Sequence, residues 1–181
     1  MGEFLIPTSE CAALASFSGE ERSSSPDTLT PVPNFICPNC KERSVDIDRK
    51  EGMFDEAVAC RHCGFGFLSE LMDDYYPAPT TGLVTCDQEG RVLAIGRGVF
   101  ELSGWSEHEV LGSDVVSAFG LAGFEEEKNP VKLSLEWGVR RLNEHLQLRT
   151  RGGQVKSVIG DFFPALDDDG GLLVALTPAH G

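Results

Sequence analysis

The amino-acid sequence predicts an α+β fold in two parts, a small β module held by cysteines and a larger domain of short strands and helices. Three features carry that prediction. Cys37-Pro38-Asn39-Cys40 and Cys60-Arg61-His62-Cys63 are paired C-x-x-C turns separated by nineteen residues. Beyond Thr80, residues 82–95, 145–150, 155–165 and 172–177 have strand composition and are bounded by glycine and acidic turns. Between them, residues 99–103, 106–112 and 130–143 carry helical patterns.

Composition narrows the function classes. With 181 residues, 41% of them hydrophobic, the chain has material for one ordinary domain and a smaller one that needs a staple. Fifteen basic against 29 acidic residues give a formal net charge of -14. Such a surface repels phosphate backbones, so nucleic acid is a disfavoured partner. No apolar run approaches the roughly eighteen residues that span a bilayer, and the N-terminus lacks a basic start followed by an apolar stretch. The expectation is a cytoplasmic protein with no membrane association. Six cysteines, four of them in C-x-x-C turns with Cys11 and Cys86 left over, fit metal binding in a reducing compartment better than a disulfide scaffold.

Residues 1–33 contain Ser23-Ser24-Ser25-Pro26 and Pro31-Val32-Pro33 and predict a disordered tail, since little apolar surface offsets chain entropy. Within it, Leu14 and Phe17 would share one face of a short partner-docking helix. Residues 34–71 form the cysteine module. Ser44-Val45-Asp46-Ile47-Asp48 alternates as a strand, Glu51-Gly52 marks a turn, and residues 54–59 lead back to the second cysteine pair. Gly64 follows Cys63 where positive φ lets backbone amides point at sulfur. Residues 65–76 continue as an extended segment into a short helix with Leu68, Leu71 and Met72 at helical spacing, ended by Pro77 and Pro79. Residues 72–79 are then the linker, and 80–181 the larger domain.

Four thiolates from two tight turns supply the corners of a tetrahedral site, which makes Cys37, Cys40, Cys60 and Cys63 the candidate ligands of one zinc per chain. The C-P-x-C and C-x-x-C-G knuckles resemble the zinc ribbon family over residues 34–71, with one departure at Lys41, where many ribbons have glycine. Iron in the same cysteine pattern, as in rubredoxins, is the lesser alternative, because those knuckles carry glycine after both pairs and a longer spacer. His62 lies between two ligands and is expected to be an exposed knuckle residue. Arg43, Arg49, Lys50 and Arg61 could form a basic patch, but nine acidic residues lie between Cys37 and Pro79. Docking of a partner protein, or a purely structural role, is preferred over nucleic-acid binding.

In the larger domain, residues 82–95 read as two strands around Asp87-Gln88-Glu89-Gly90. A short helix at 99–103 leads to Gly104-Trp105, then to Ser106 and Glu109 spaced as a capping box. This succession resembles the PAS domain family, with its strand, Asp-x-x-Gly turn, strand and L-[ST]-G-type helix start, and the resemblance covers residues 80–178. It implies a five-stranded antiparallel sheet flanked by short helices. Leu172-Leu173-Val174-Ala175-Leu176 does not alternate, so both of its faces should be buried. PAS domains commonly dimerise through the outer sheet surface, which predicts a homodimer; cover by residues 65–76 of the same chain is the competing explanation.

The resemblance also implies a sensing cavity. Phe100, Phe119, Phe124, Trp137, Leu142, Leu148, Ile159 and Phe163 would line a pocket for a small organic ligand, or simply fill the core. The ligand is unknown, and a solid core filled by these residues is the favoured reading. No cysteine follows Cys86, which argues against cysteine-flavin photochemistry, and His145 is the only candidate haem ligand. Gly96 replaces the asparagine common in the family before the first helix. Cys86 is expected to be a small buried residue, the Asp167-Asp168-Asp169 run a solvated hairpin tip, and His108 a residue on the open side of its helix. No catalytic set is recognisable. The reading is a non-enzymatic signalling protein in which a PAS sensor or dimerisation domain is coupled to a partner-docking zinc ribbon. Its rivals are a transcription-linked nucleic-acid module and a redox sensor or carrier built on the four-cysteine site. On this reading, serine at any ligand unfolds the ribbon and leaves the larger domain intact.

Overall fold

A computed structural model describes residues 34–44, 59–66, 68–71, 74–165 and 171–179. The expected tail 1–33, the hairpin segment 45–58 with Arg49 and Lys50, and the Asp167-Asp168-Asp169 tip lie outside the described residues.

Three short strands, β1 Asn34–Ile36, β2 Arg43–Ser44 and β3 Ser69–Leu71, form an antiparallel sheet in the order β2-β1-β3. The helix expected from the spacing of Leu68, Leu71 and Met72 is not what forms at Leu71. Asn34 pairs with Leu71 and Ile36 with Ser69, and this pairing buries Leu71. Long-range strand pairing overrides a local spacing that suits either structure.

Five further strands make the larger sheet: β4 Gly82–Cys86, β5 Val92–Ile95, β6 Arg141–Arg149, β7 Val155–Pro164 and β8 Leu172–Pro178. Their order is β5-β4-β8-β7-β6, antiparallel throughout. The chain makes a hairpin at one edge, crosses through α1 Arg97–Ser103, α2 Glu107–Val110, α3 Val115–Ala118 and α4 Pro130–Trp137, and re-enters at the far edge. This is the α+β architecture expected of the larger domain.

Local chemistry places these elements. The Asp87 carboxylate accepts hydrogen bonds from the Glu89 and Arg91 N–H groups, at 3.0 and 2.7 Å, and so turns the β4–β5 hairpin. Glu109 reaches back to the Ser106 N–H at 3.1 Å, the reciprocal bond of the expected capping box. Asn129 accepts from the Val131 N–H at 3.0 Å, and Pro130 occupies the first turn of α4. That helix ends at Trp137 rather than continuing to residue 143, because Gly138 adopts φ 61° and the chain begins β6 at Arg141. Leu142 therefore lies on a strand rather than on the helix stripe.

The final strand accounts for its own lack of alternation. Leu172, Val174 and Leu176 pack with Val84, Phe162, Leu148 and the helix residues Val99, Val110, Val115 and Phe119. Leu173 and Ala175 face the other way, into a second cluster with Leu83, Phe163, Ile36 and Leu71, against which Tyr75 packs. The outer face of β8 is covered by β1, β3 and the segment after them, so the reason given for a dimer at this surface is met within one chain. Ile36 is completely buried, and an aliphatic side chain of that size contributes about 2–3 kcal/mol.

Residues 74–79 are tied on both sides. The Tyr75 ring lies 4.4 Å from that of Phe163, and its hydroxyl donates to Asp161 at 3.0 Å. The other Asp161 oxygen accepts from the Asn143 N–H at 2.8 Å, beside the bulge where β6 shifts register. From the cysteine module, the Lys41 ammonium donates to the carbonyls of Ala78 and Pro79, and the Arg43 guanidinium donates to the Tyr75 carbonyl while lying 4.4 Å over the Tyr76 ring.

Candidate metal centre

The two C-x-x-C turns fold to one plan. In the first, the Lys41 N–H donates to the Cys37 carbonyl at 2.8 Å and the Cys37 N–H to the Glu42 carbonyl at 3.0 Å. In the second, the Gly64 N–H donates to the Cys60 carbonyl and the Cys60 N–H to the Phe65 carbonyl, both at 2.8 Å. The residue after each second cysteine has positive φ, 62° at Lys41 and 73° at Gly64. A lysine in the left-handed region costs about 1 kcal/mol or more. Its ammonium contacts with the carbonyls of Ala78 and Pro79 give that residue a structural task glycine could not perform.

The turns bring four sulfurs together. Cys37 and Cys63 are 3.6 Å apart at Sγ, as are Cys40 and Cys60, and all four lie within 4.8 Å of one another. Tetrahedral Zn–S bonds of about 2.3 Å set sulfur separations of about 3.8 Å, so the cluster fits a tetrathiolate ion with small adjustment. Two thiols are buried, Cys37 and Cys60, while Cys63 faces solvent. Burial pushes the Cys37 thiol up to about 12. The Phe65 backbone N–H, then the Asn39 side chain, hold Cys63 down at about 6. A divalent ion would favour the thiolate at every corner. His62 is exposed, as expected, and is outside the cluster.

The centre is built onto the larger domain. The Asn39 amide donates to the Cys63 sulfur at 3.6 Å, and its oxygen accepts from the Arg97 N–H at 3.0 Å. That N–H is the first of α1, one of the orphan donors of its first turn, and the N-cap Gly96 offers that turn no side chain. At Gly96 a β-carbon would stand 1.9 Å from the Pro38 carbonyl oxygen. Gly96, which stands in place of the family's common asparagine, is thus the point where the first knuckle lies against the larger domain. Asn39 is the residue that sequence reasoning missed. Its position between two ligands was the available signal; what it touches is nearly sixty residues away in the chain.

The eight residues proposed for a ligand pocket do not face one space. Phe119 and Leu148 are fully buried in the main core, and Phe124 is partly buried against it. Phe100, Trp137 and Leu142 are 55%, 72% and 42% exposed. Ile159 and Phe163 alternate with Val158 and Phe162 and so point to the opposite side of the sheet. A surface groove of about 310 Å³ lies between the β4–β5 turn and α4, lined by Glu89, Asp114, Val131 and Leu135 among others, and none of the eight borders it. His145 is exposed on β6, and His108 is exposed on α2. Cys86 is buried, and burial, then Asp87 and Asp114, push its thiol upward.

A scan against protein-family models finds no match, and a search of curated proteins finds none. Among solved structures, similar folds belong to PAS and LOV domains. A PAS domain from Colwellia psychrerythraea is 16% identical with a TM-score of 0.47, covering 55% of this chain and 86% of that one. The PAS domain of the nitrogen regulation protein NR(II) from Vibrio parahaemolyticus is 11% identical with a TM-score of 0.47, covering 56% and 91%. The light-state dimer of the fungal blue-light photoreceptor Vivid is 12% identical with a TM-score of 0.47, covering 60% and 83%. Among the described residues, no helix is long and apolar enough to cross a membrane.

Proposed function

We propose that this chain is a non-enzymatic signalling protein in which a PAS domain, residues 80–181, is coupled through residues 72–79 to a zinc ribbon, residues 34–71. One zinc per chain is held by Cys37, Cys40, Cys60 and Cys63. The observation that carries this reading is the convergence of four sulfurs within 4.8 Å in a chain that also forms a five-stranded antiparallel sheet. A signalling role is taken from the sheet architecture and from neighbours described as a regulation protein and a photoreceptor.

The output in this reading is protein docking by the exposed knuckle around Arg61, His62 and Cys63, which projects to solvent. Cysteines kept as metal ligands rather than disulfides fit a reducing compartment, so this reading places the protein in the cytoplasm. Nucleic-acid binding is the weaker reading, because Arg43 is engaged with Tyr75 and Tyr76 and the net charge is -14. A homodimer would have to form through surface other than the face that Ile36, Leu71 and Tyr75 cover. A redox role is the second reading, favoured by the solvent-facing Cys63 sulfur.

Native mass spectrometry of protein purified from cells, compared with its denatured mass, tests the proposal. One zinc per chain is expected. A colourless protein that retains no metal would overturn the zinc assignment, a red one would replace zinc by iron, and an additional small-molecule mass would make the PAS domain a ligand sensor.

A further inference from the structure

We infer that Asn39 links the metal centre to the start of α1, so that metal occupancy sets whether that helix is capped. The inference rests on the zinc reading above and concerns what the occupied centre does to the rest of the chain. Three observations made on separate groups converge on it. The Asn39 amide N–H donates to Cys63 at 3.6 Å, and the Asn39 oxygen accepts from the Arg97 N–H at 3.0 Å, so one planar amide makes both contacts. Gly96 leaves the N-terminal turn of α1 without a cap of its own. The Pro38 carbonyl lies against Gly96 so closely that a β-carbon would displace it.

The physics follows from where ligation fixes the sulfur. Ligation holds the Cys63 sulfur at one place beside the first knuckle, and an outer partner of this type orients the ligand it touches. Ligation therefore fixes the Asn39 amide plane, and the same plane presents its oxygen to Arg97. When the metal leaves, the turn loses its closure, the amide is no longer held, and the Arg97 N–H returns to water. α1 packs on β4 through Val99 and Leu102 in the main core, so a change at its first turn reaches the domain interior.

Hydrogen exchange on zinc-loaded full-length protein reads this directly at the Arg97 amide, with the Val158 amide as the reference for global stability. In Asn39→Ala, zinc binds, but Arg97 exchanges about tenfold faster relative to Val158, as loss of a helix cap requires. Zinc affinity, measured by competition with a chelating dye, weakens by roughly 10-fold or more. Asn39→Asp separates the two contacts: its carboxylate still accepts from Arg97 and keeps that amide protected, while zinc affinity falls because no N–H reaches Cys63. Chelation of zinc from the wild type reproduces the loss at Arg97. Zinc-loaded Asn39→Ala with unchanged Arg97 protection overturns the link while leaving the zinc reading intact, as does Asn39→Asp with wild-type affinity. A wild type that binds no zinc overturns both.

Discussion

The carbonyl of Pro38 sits where a β-carbon on Gly96 would stand, 1.9 Å from that position. Glycine is required here by close approach of two backbones, one from each part of the chain. Gly96→Ala should push the first knuckle away and cost about 2–3 kcal/mol, as overpacking at a rigid contact does. A fall of roughly 5–10 °C in Tm, with weaker zinc retention, is the expected outcome. An unchanged melting curve would show that the knuckle does not lie against α1 in solution.

On the zinc reading, metal removal should affect more than the smaller sheet. The sequence suggested that losing a ligand would leave the larger domain intact, but Leu83, Phe163, Leu173 and Ala175 are buried beneath Ile36 and Leu71. Release of β1 and β3 would bare this apolar cluster. Chelation, or Cys37→Ser, is expected to raise binding of a hydrophobic dye and to lower Tm by about 10 °C, for a loss of about 3 kcal/mol or more. Dye binding equal to that of the zinc-loaded protein would refute the shared core.

Ile36 tests the same packing without touching a cysteine. Its complete burial predicts that Ile36→Ala costs about 2–5 kcal/mol. Denaturant unfolding followed by Trp105 or Trp137 fluorescence should report that loss from the larger domain, although the substitution lies in the smaller sheet. A midpoint unmoved by the substitution would mean that the two sheets unfold independently.

Tyr75 gives stability a pH dependence on the alkaline side. Burial first, then the neighbouring Asp161 charge, raise its phenol above the ordinary value of 10.0. A raised folded pKa means that the contribution is fully present below pH 10 and is lost as pH rises from there toward the folded value. Tyr75→Phe should cost about 1–2 kcal/mol at pH 7, by removing a donor to the buried Asp161 carboxylate. The gap between wild type and variant should close above pH 10, with Cys86 acting equally in both. A gap constant from pH 7 to 11 would exclude Tyr75 as its source.

Much of the fold was legible because local chemistry writes it. Asp87 at the hairpin turn, the Ser106–Glu109 cap, and Pro130 at the head of α4 all act within four residues, and each sits where the sequence placed it. The paired C-x-x-C turns were equally plain, since each knuckle closes on its own backbone. What sequence could not settle depends on distant partners. Leu71 is in a strand because Asn34 pairs with it, and α4 gives way to a strand after Gly138 because β7 is there to pair with β6. The pocket residues were chosen by type, but alternation along β7 and exposure on α1 and α4 spread them over three environments.

The sequence by itself determined the paired C-x-x-C pattern and the need to bury both faces of residues 172–176. Tertiary structure decided what covers the second face, and it did so with Ile36, Leu71 and Tyr75 from the same chain. Apolar pattern states only that a surface must leave water, because the hydrophobic effect is non-directional. The choice of cover came from the directional contacts of Asn39 with Arg97, Lys41 with Ala78, and Tyr75 with Asp161, which fix where the smaller sheet sits.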